Sequence, residues 1–192
     1  MTFRSLAPGF LIASPPLGDP NFDRTVVLRA VHSEEGALGF VVNRASRLVL
    51  GELLELAGYA DCHDDASKVW IGGPVQPQSG WVLADDPEVV IDGVIEVGPR
   101  IRVSSSREAF DEVAREVAEV GEIGARRLVL LGYSGWGPGQ LESEIARGAW
   151  LPTPLDERVL FDCAADERWE RAYALVGLTP GNMISMRTVG EA

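Results

Sequence analysis

Thr25-Val-Val-Leu-Arg-Ala-Val31, His32-Ser-Glu-Glu-Gly36 and Leu38-Gly-Phe-Val-Val-Asn43 decide the fold class. Two β-branched or apolar runs bracket a polar break, the pattern of an antiparallel hairpin. Upstream, Phe10 to Ser14 reads as another strand, stopped by Pro15-Pro16. Asp19-Pro20-Asn21-Phe22 then reads as a short helical turn, with Asp19 as N-cap and Pro20 at the first helical position.

Downstream, Leu50 to Ala57 predicts a short helix stopped by Gly58, and Ala60 to Lys68 is a polar, acidic surface segment. Val69 to Ile71 and Gly80 to Leu83 read as strands. Val94 to Val97 and Ile101 to Val103 form a further pair around Gly98-Pro99-Arg100. Ser105-Ser106-Arg107-Glu108 has the form of a capping box. The helix it opens places Phe110, Val113, Val117 and Val120 on one stripe. Leu128 to Tyr133 predicts a buried strand, and helices are expected over Pro138–Arg147 and about Asp166–Val176. Early strands joined by short turns, with helices gathered later, give an α+β fold with a mainly antiparallel sheet.

The 192 residues suit a single domain, 1–192. With 17 Lys+Arg against 29 Asp+Glu the net charge is −12, a field that repels phosphate backbones and anionic headgroups. Nucleic-acid binding is therefore disfavoured. No apolar run approaches the roughly 18 residues that span a bilayer, and Met1 to Phe10 is no secretory signal, so a cytoplasmic location without a membrane partner is expected. Cys62 and Cys163 read as two reduced thiols.

Taken together, Phe10-Leu-Ile-Ala13, Asp19-Pro-Asn-Phe22, Gly36-Ala-Leu-Gly39, Val41-Val-Asn43, Gly72-Gly-Pro-Val75, Gly132 to Leu151, Leu160-Phe161 and Trp169 resemble the AlgH/YqgE family of bacterial proteins. The resemblance runs along essentially the whole chain. It implies an α+β domain whose bifurcated sheet folds into a pseudo-barrel with helices packed around it. It supplies no catalytic residues. Some members carry the label of transcriptional regulator, but this chain has no helix-turn-helix pair and the wrong charge for DNA.

The most informative candidate segment is Gly132-Tyr-Ser-Gly-Trp-Gly-Pro-Gly-Gln140, which runs from a strand into a helix. As a nucleophile elbow it fails, because Trp136 stands where a glycine is needed and no histidine follows His63. As a phosphate loop it lacks the Gly-Lys-Ser/Thr ending, and its glycines have the wrong spacing for a dinucleotide fingerprint. Glu142 and Glu144, two apart on a helix, face different ways and make no acid/base pair. Glu144 is expected to pair with Arg147 on a solvated face. Asp61-Cys62-His63-Asp64-Asp65 lacks a second pair at metal-ligand spacing.

No catalytic, metal or cofactor set is complete, so a non-enzyme is favoured. The remaining expectation is a binding site for a small molecule, an anionic one included, at Asn43, Gly72, Gly73, Ser134, Gly135, Trp136, Gly139 and Gln140. There glycine turns would line one cleft. The alternative is a regulatory or interaction protein acting through protein partners, transcription control included.

Overall fold

The structure is a computed structural model and describes residues 4–15, 20–60, 62–88 and 93–182. In chain order its strands and helices are β1 (Gly9–Ala13), β2 (Val26–Ser33), β3 (Gly36–Val41), β4 (Ala45–Val49), α1 (Leu50–Leu56), β5 (Lys68–Ile71), β6 (Val75–Asp85), β7 (Ile95–Val97), β8 (Ile101–Ser104), α2 (Arg107–Val120), β9 (Arg127–Trp136), α3 (Gln140–Ala146), β10 (Trp150–Thr153), α4 (Glu157–Phe161) and α5 (Arg168–Ala174). The fold is α+β, as the sequence order of strands and helices implies. The sheet is mainly antiparallel, branches at β9 and is not closed into a barrel; the one parallel ladder among the described strands joins β5 to β9.

The chain divides into two compact units, Met1–Asn43 with Ser134–Ala192, and Arg44–Tyr133. In the first, β2 and β3 form the expected hairpin, with Ser33 opposite Gly36. Strands β1 and β10 continue this sheet on one side, and Ser134 to Trp136 of β9 continue it on the other. Alternation puts Leu11, Ala13, Val27, Ala37 and Val41 on one face. There they pack with Trp136, Leu141 and Trp150 around α3. Phe10, Ile12, Leu28 and Phe40, which alternate with them, are fully buried too. Helix α5 packs on β1 and β2, where Trp169 Nε1 and Tyr173 Oη both donate to Ala13 O.

In the second unit, β4 pairs with β5, β5 and β6 pair with β9, and β8 joins β6 to β7. Leu50, Leu54, Val69, Val113, Val117 and Val129 fill its core. Asp64, in the segment expected to be a solvated loop, is buried instead. Its carboxylate accepts the N–H groups of Ala66, Ser67 and Ile123. Burial alone would raise its pKa, but these bonds outweigh that and hold it below the usual carboxylate range.

Several elements depart from the sequence reading. Strand β6 starts at Val75, with Gln76 at φ 46° and a register shift between Val75 and Gly80, so the strand bends at a bulge that also tolerates Pro77. Helix α2 is capped by Ser106, whose side chain accepts Ala109 N–H, so the box expected from Ser105 to Glu108 does not form. Val120, at the end of the expected stripe, is 69% exposed. Helix α3 begins at Gln140 with Gly139 as N-cap, placing Pro138 in the turn. Strands β4 and β10 and helix α4 were not foreseen. Asp19 lies outside the described residues, and Pro20 to Arg24 form a turn.

Candidate functional site

Glu144 organises the signature segment. Its Oε2 accepts the indole N–H of Trp136 at 2.9 Å and of Trp150 at 2.8 Å, and its Oε1 accepts the Gln140 amide at 2.9 Å. Gln140 in turn accepts Gly137 N–H. The two indoles meet edge to face at 5.9 Å, and Phe22 packs on both. The solvated Glu144–Arg147 pair expected from their spacing is replaced by this network, because the strands before and after α3 bring an indole to each side of the carboxylate.

Other expected ligand residues are also engaged. Asn43 accepts Val26 N–H through Oδ1 and donates through Nδ2 to Arg24 O, bracing the 20–25 turn. Ser134 and Trp136 are buried. Gly139, at φ 70°, supplies the left-handed turn into α3, and Gly135 pairs with Leu38. In the second unit Gly72 N–H donates to Leu131 O, and a Cβ on Gly72 would lie 2.3 Å from Gly132 O. Gly132, at φ 69°, closes on the carbonyls of Gly73 and Val75 in the same way. Asn43 and Ser134–Gln140 belong to the first unit, whereas Gly72 and Gly73 belong to the second. A ligand at Asn43, Trp136 or Gln140 would have to displace bonds that hold the fold.

His32 and Glu142 form a pair that the sequence did not suggest. The imidazole Nδ1 accepts Leu6 N–H at 2.9 Å, which leaves Nε2 to carry the proton and donate to Glu142 Oε1 at 2.9 Å. With both nitrogens engaged, His32 is not placed to act as a base toward Ser134. Glu142 and Glu144 do face different ways, as their spacing requires. Among the described residues no three His, Cys, Asp or Glu side chains form a cluster able to hold a metal. Asp61 lies outside them.

Two buried arginines stand out in the first unit. Arg168 donates from Nε to Cys163 O and from Nη1 to Val42 O. Arg29, 3% exposed in the middle of β2, donates from Nη1 to Phe10 O. Sequence reading passed over it, although a lone charge inside an apolar strand was a visible signal.

A cleft of about 400 Å³ opens between α4 and α5. Asp156, Arg158, Asp162, Cys163, Glu167 and Arg171 line it, with Val159 and Leu175 as apolar parts. Hydrogen bonds from Arg158 hold Asp156 below the usual carboxylate range. Burial, then the charge of Glu167, pushes the Cys163 thiol up, which favours its neutral form. Arg168 ties down the backbone of Cys163 and so shapes this cleft. Its α5 wall lies on the helix expected over about Asp166–Val176, but the α4 wall was not legible in sequence, and without it neither was the cleft.

Residues 10–181 match the family described as AlgH-like, DUF179. The chain belongs to the AlgH-like family. A UPF0301 protein of Anaeromyxobacter sp. (strain Fw109-5) is 42% identical over 188 residues, covering 93% of this chain and 92% of that one. A UPF0301 protein of Nitrosococcus oceani is 38% identical over 171 residues, with 88% of each chain covered. The solution structure of the AlgH protein from Pseudomonas aeruginosa superposes with a TM-score of 0.73 at 36% identity, over 98% of this chain and 97% of that one. The crystal structure of protein DIP2367 from Corynebacterium diphtheriae shares the fold, with a TM-score of 0.68 at 22% identity over 90% and 88% of the two chains. In this AlgH-like chain the Gly132–Leu151 segment is held together by Glu144, which joins Trp136, Gln140 and Trp150.

Proposed function

We propose that this AlgH-like protein is a non-catalytic binding protein for a small polar molecule, taken in the cleft between α4 and α5. The observation that carries this reading is the cleft itself. Its volume of about 400 Å³ falls within the roughly 300–1,000 Å³ of small-molecule sites. Its walls offer two guanidinium groups and three carboxylates beside apolar Val159 and Leu175, which suits a compact molecule carrying charges of both signs. The raised Cys163 pKa favours binding over covalent chemistry, because the neutral thiol is a poor nucleophile.

The test is calorimetric titration of free amino acids, short dipeptides and nucleotides into the wild type and the Arg171→Ala variant. A saturable heat with one of these classes, weakened at least tenfold in the variant, supports the reading. Silence across all three classes rejects it and favours action through a protein partner.

A further inference from the structure

Cross-strand register places Gly9, Arg29, Gly39 and Ser134 in one row on adjacent strands β1, β2, β3 and β9. Residues directly opposite each other share a face, so Arg29 stands with Ser134 on the side of the sheet that packs around α3. Val27, two residues before Arg29, belongs to that apolar cluster. Arg29 is flanked by glycine on both neighbouring strands. The guanidinium uses this room: Nη2 lies 2.4 Å from where a Cβ on Gly9 would be.

A charge in such a place needs compensation. Desolvation of an isolated ion costs several kcal/mol, which buried arginines normally recover from a carboxylate. Among the described residues Arg29 has no ion-pair partner, and its sole hydrogen bond is Nη1 to Phe10 O at 3.0 Å. Nε is fully buried and makes no hydrogen bond among the described residues. Burial pulls the group down to about 10, still far above neutral pH, so the charge is retained. The Nε and Nη2 groups form the edge of a guanidinium that grips two oxygens of one carboxylate or phosphate at once. The Phe10 contact engages the opposite side of the group, so among the described residues this edge meets no acceptor. Gly9, against which Nη2 packs, is the first residue of β1, and Pro8 before it is exposed.

We infer that Arg29 anchors a binding site for one small oxyanion, a carboxylate or a phosphate, held at its Nε/Nη2 edge. This site is separate from the α4–α5 cleft and does not depend on it. The test uses the full chain and two probes, acetate and inorganic phosphate, against chloride at matched ionic strength. A saturable rise in Tm with at least one oxyanion is expected in the wild type, and acetate against phosphate tells which class is preferred. Arg29→Met, which keeps the bulk without the charge, is expected to fold with unchanged or higher Tm and to lose that rise. Silence of the wild type toward both probes overturns the inference, and so does a rise that persists in Arg29→Met. Should Arg29→Met fail to fold, Arg29→Lys decides: it keeps the charge but not the fork, and affinity should fall at least tenfold. Wild-type affinity in Arg29→Lys overturns the inference.

Discussion

Arg29 and Arg168 sit in the same unit and are almost equally buried, at 3% and 5% exposure, yet they serve opposite ends. Arg168 joins two carbonyls, Cys163 O beside the cleft and Val42 O just past the end of β3, and so fastens α5 to the strands beneath it. Among the described residues Arg29 meets one carbonyl and its Nε meets no acceptor. Burial lowers the pKa of both groups, so desolvation alone does not separate them. What separates them is how their donors are used: one guanidinium is a brace, and the other is a charge that the described residues leave uncompensated. Buried polar groups that the fold fails to satisfy are where a ligand is to be sought.

The largest expected effect breaks the brace. Arg168→Ala leaves one buried and one part-buried carbonyl without their donor and should cost about 2–4 kcal/mol in urea unfolding. It should also abolish ligand heats at the cleft, since Cys163 is held through it. A neutral Arg168→Ala would erase the distinction between the two arginines. Glu144→Ala comes next, because three N–H donors lose their acceptor together; about 2–3 kcal/mol is expected. The tryptophan emission of the native state should shift as both indoles are released.

Tyr173 sharpens the comparison on the α5 side. Burial pushes its phenol up to about 12, so the fold favours the neutral form. For a raised pKa the contribution to stability is complete below the unfolded value near 10 and is lost as pH rises through 12. Wild-type stability should therefore fall between pH 10 and pH 12. Tyr173→Phe should flatten that fall while costing about 1 kcal/mol at neutral pH for the lost bond to Ala13 O. The smallest effect is the most diagnostic. Arg29→Met should change stability by no more than about 1 kcal/mol, and upward, because it removes a buried charge and keeps similar volume. A loss as large as that in Arg168→Ala would make Arg29 a brace as well.

Much of this was legible in the chain. The hairpin from Thr25 to Asn43 is written in alternating apolar runs with a polar break, and the α+β class follows from it. The different directions of Glu142 and Glu144 follow from helical period, and the structure shows them. The partner of Glu144 was not legible, because helical spacing names only neighbours on the same helix. Its true partners, Trp136 and Trp150, come from flanking strands. Strand β10 is four residues long and contains Pro152, which suits an edge strand but gives almost no periodic signal. Helix α4 is only five residues long, and with it the cleft stayed hidden. Asp64 looked like one more acid in a solvated run; only tertiary contact with Ile123 N–H turns it into a buried cap.

The direct test of the contrast is a ¹H–¹⁵N NMR titration that follows the side-chain Nε–H signals of Arg29 and Arg168 in one sample as acetate or phosphate is added. The account predicts a saturable shift of the Arg29 signal, with Arg168 unmoved because its Nε–H already donates to Cys163 O. Equal shifts of both signals, or none in Arg29 with either anion, would contradict it.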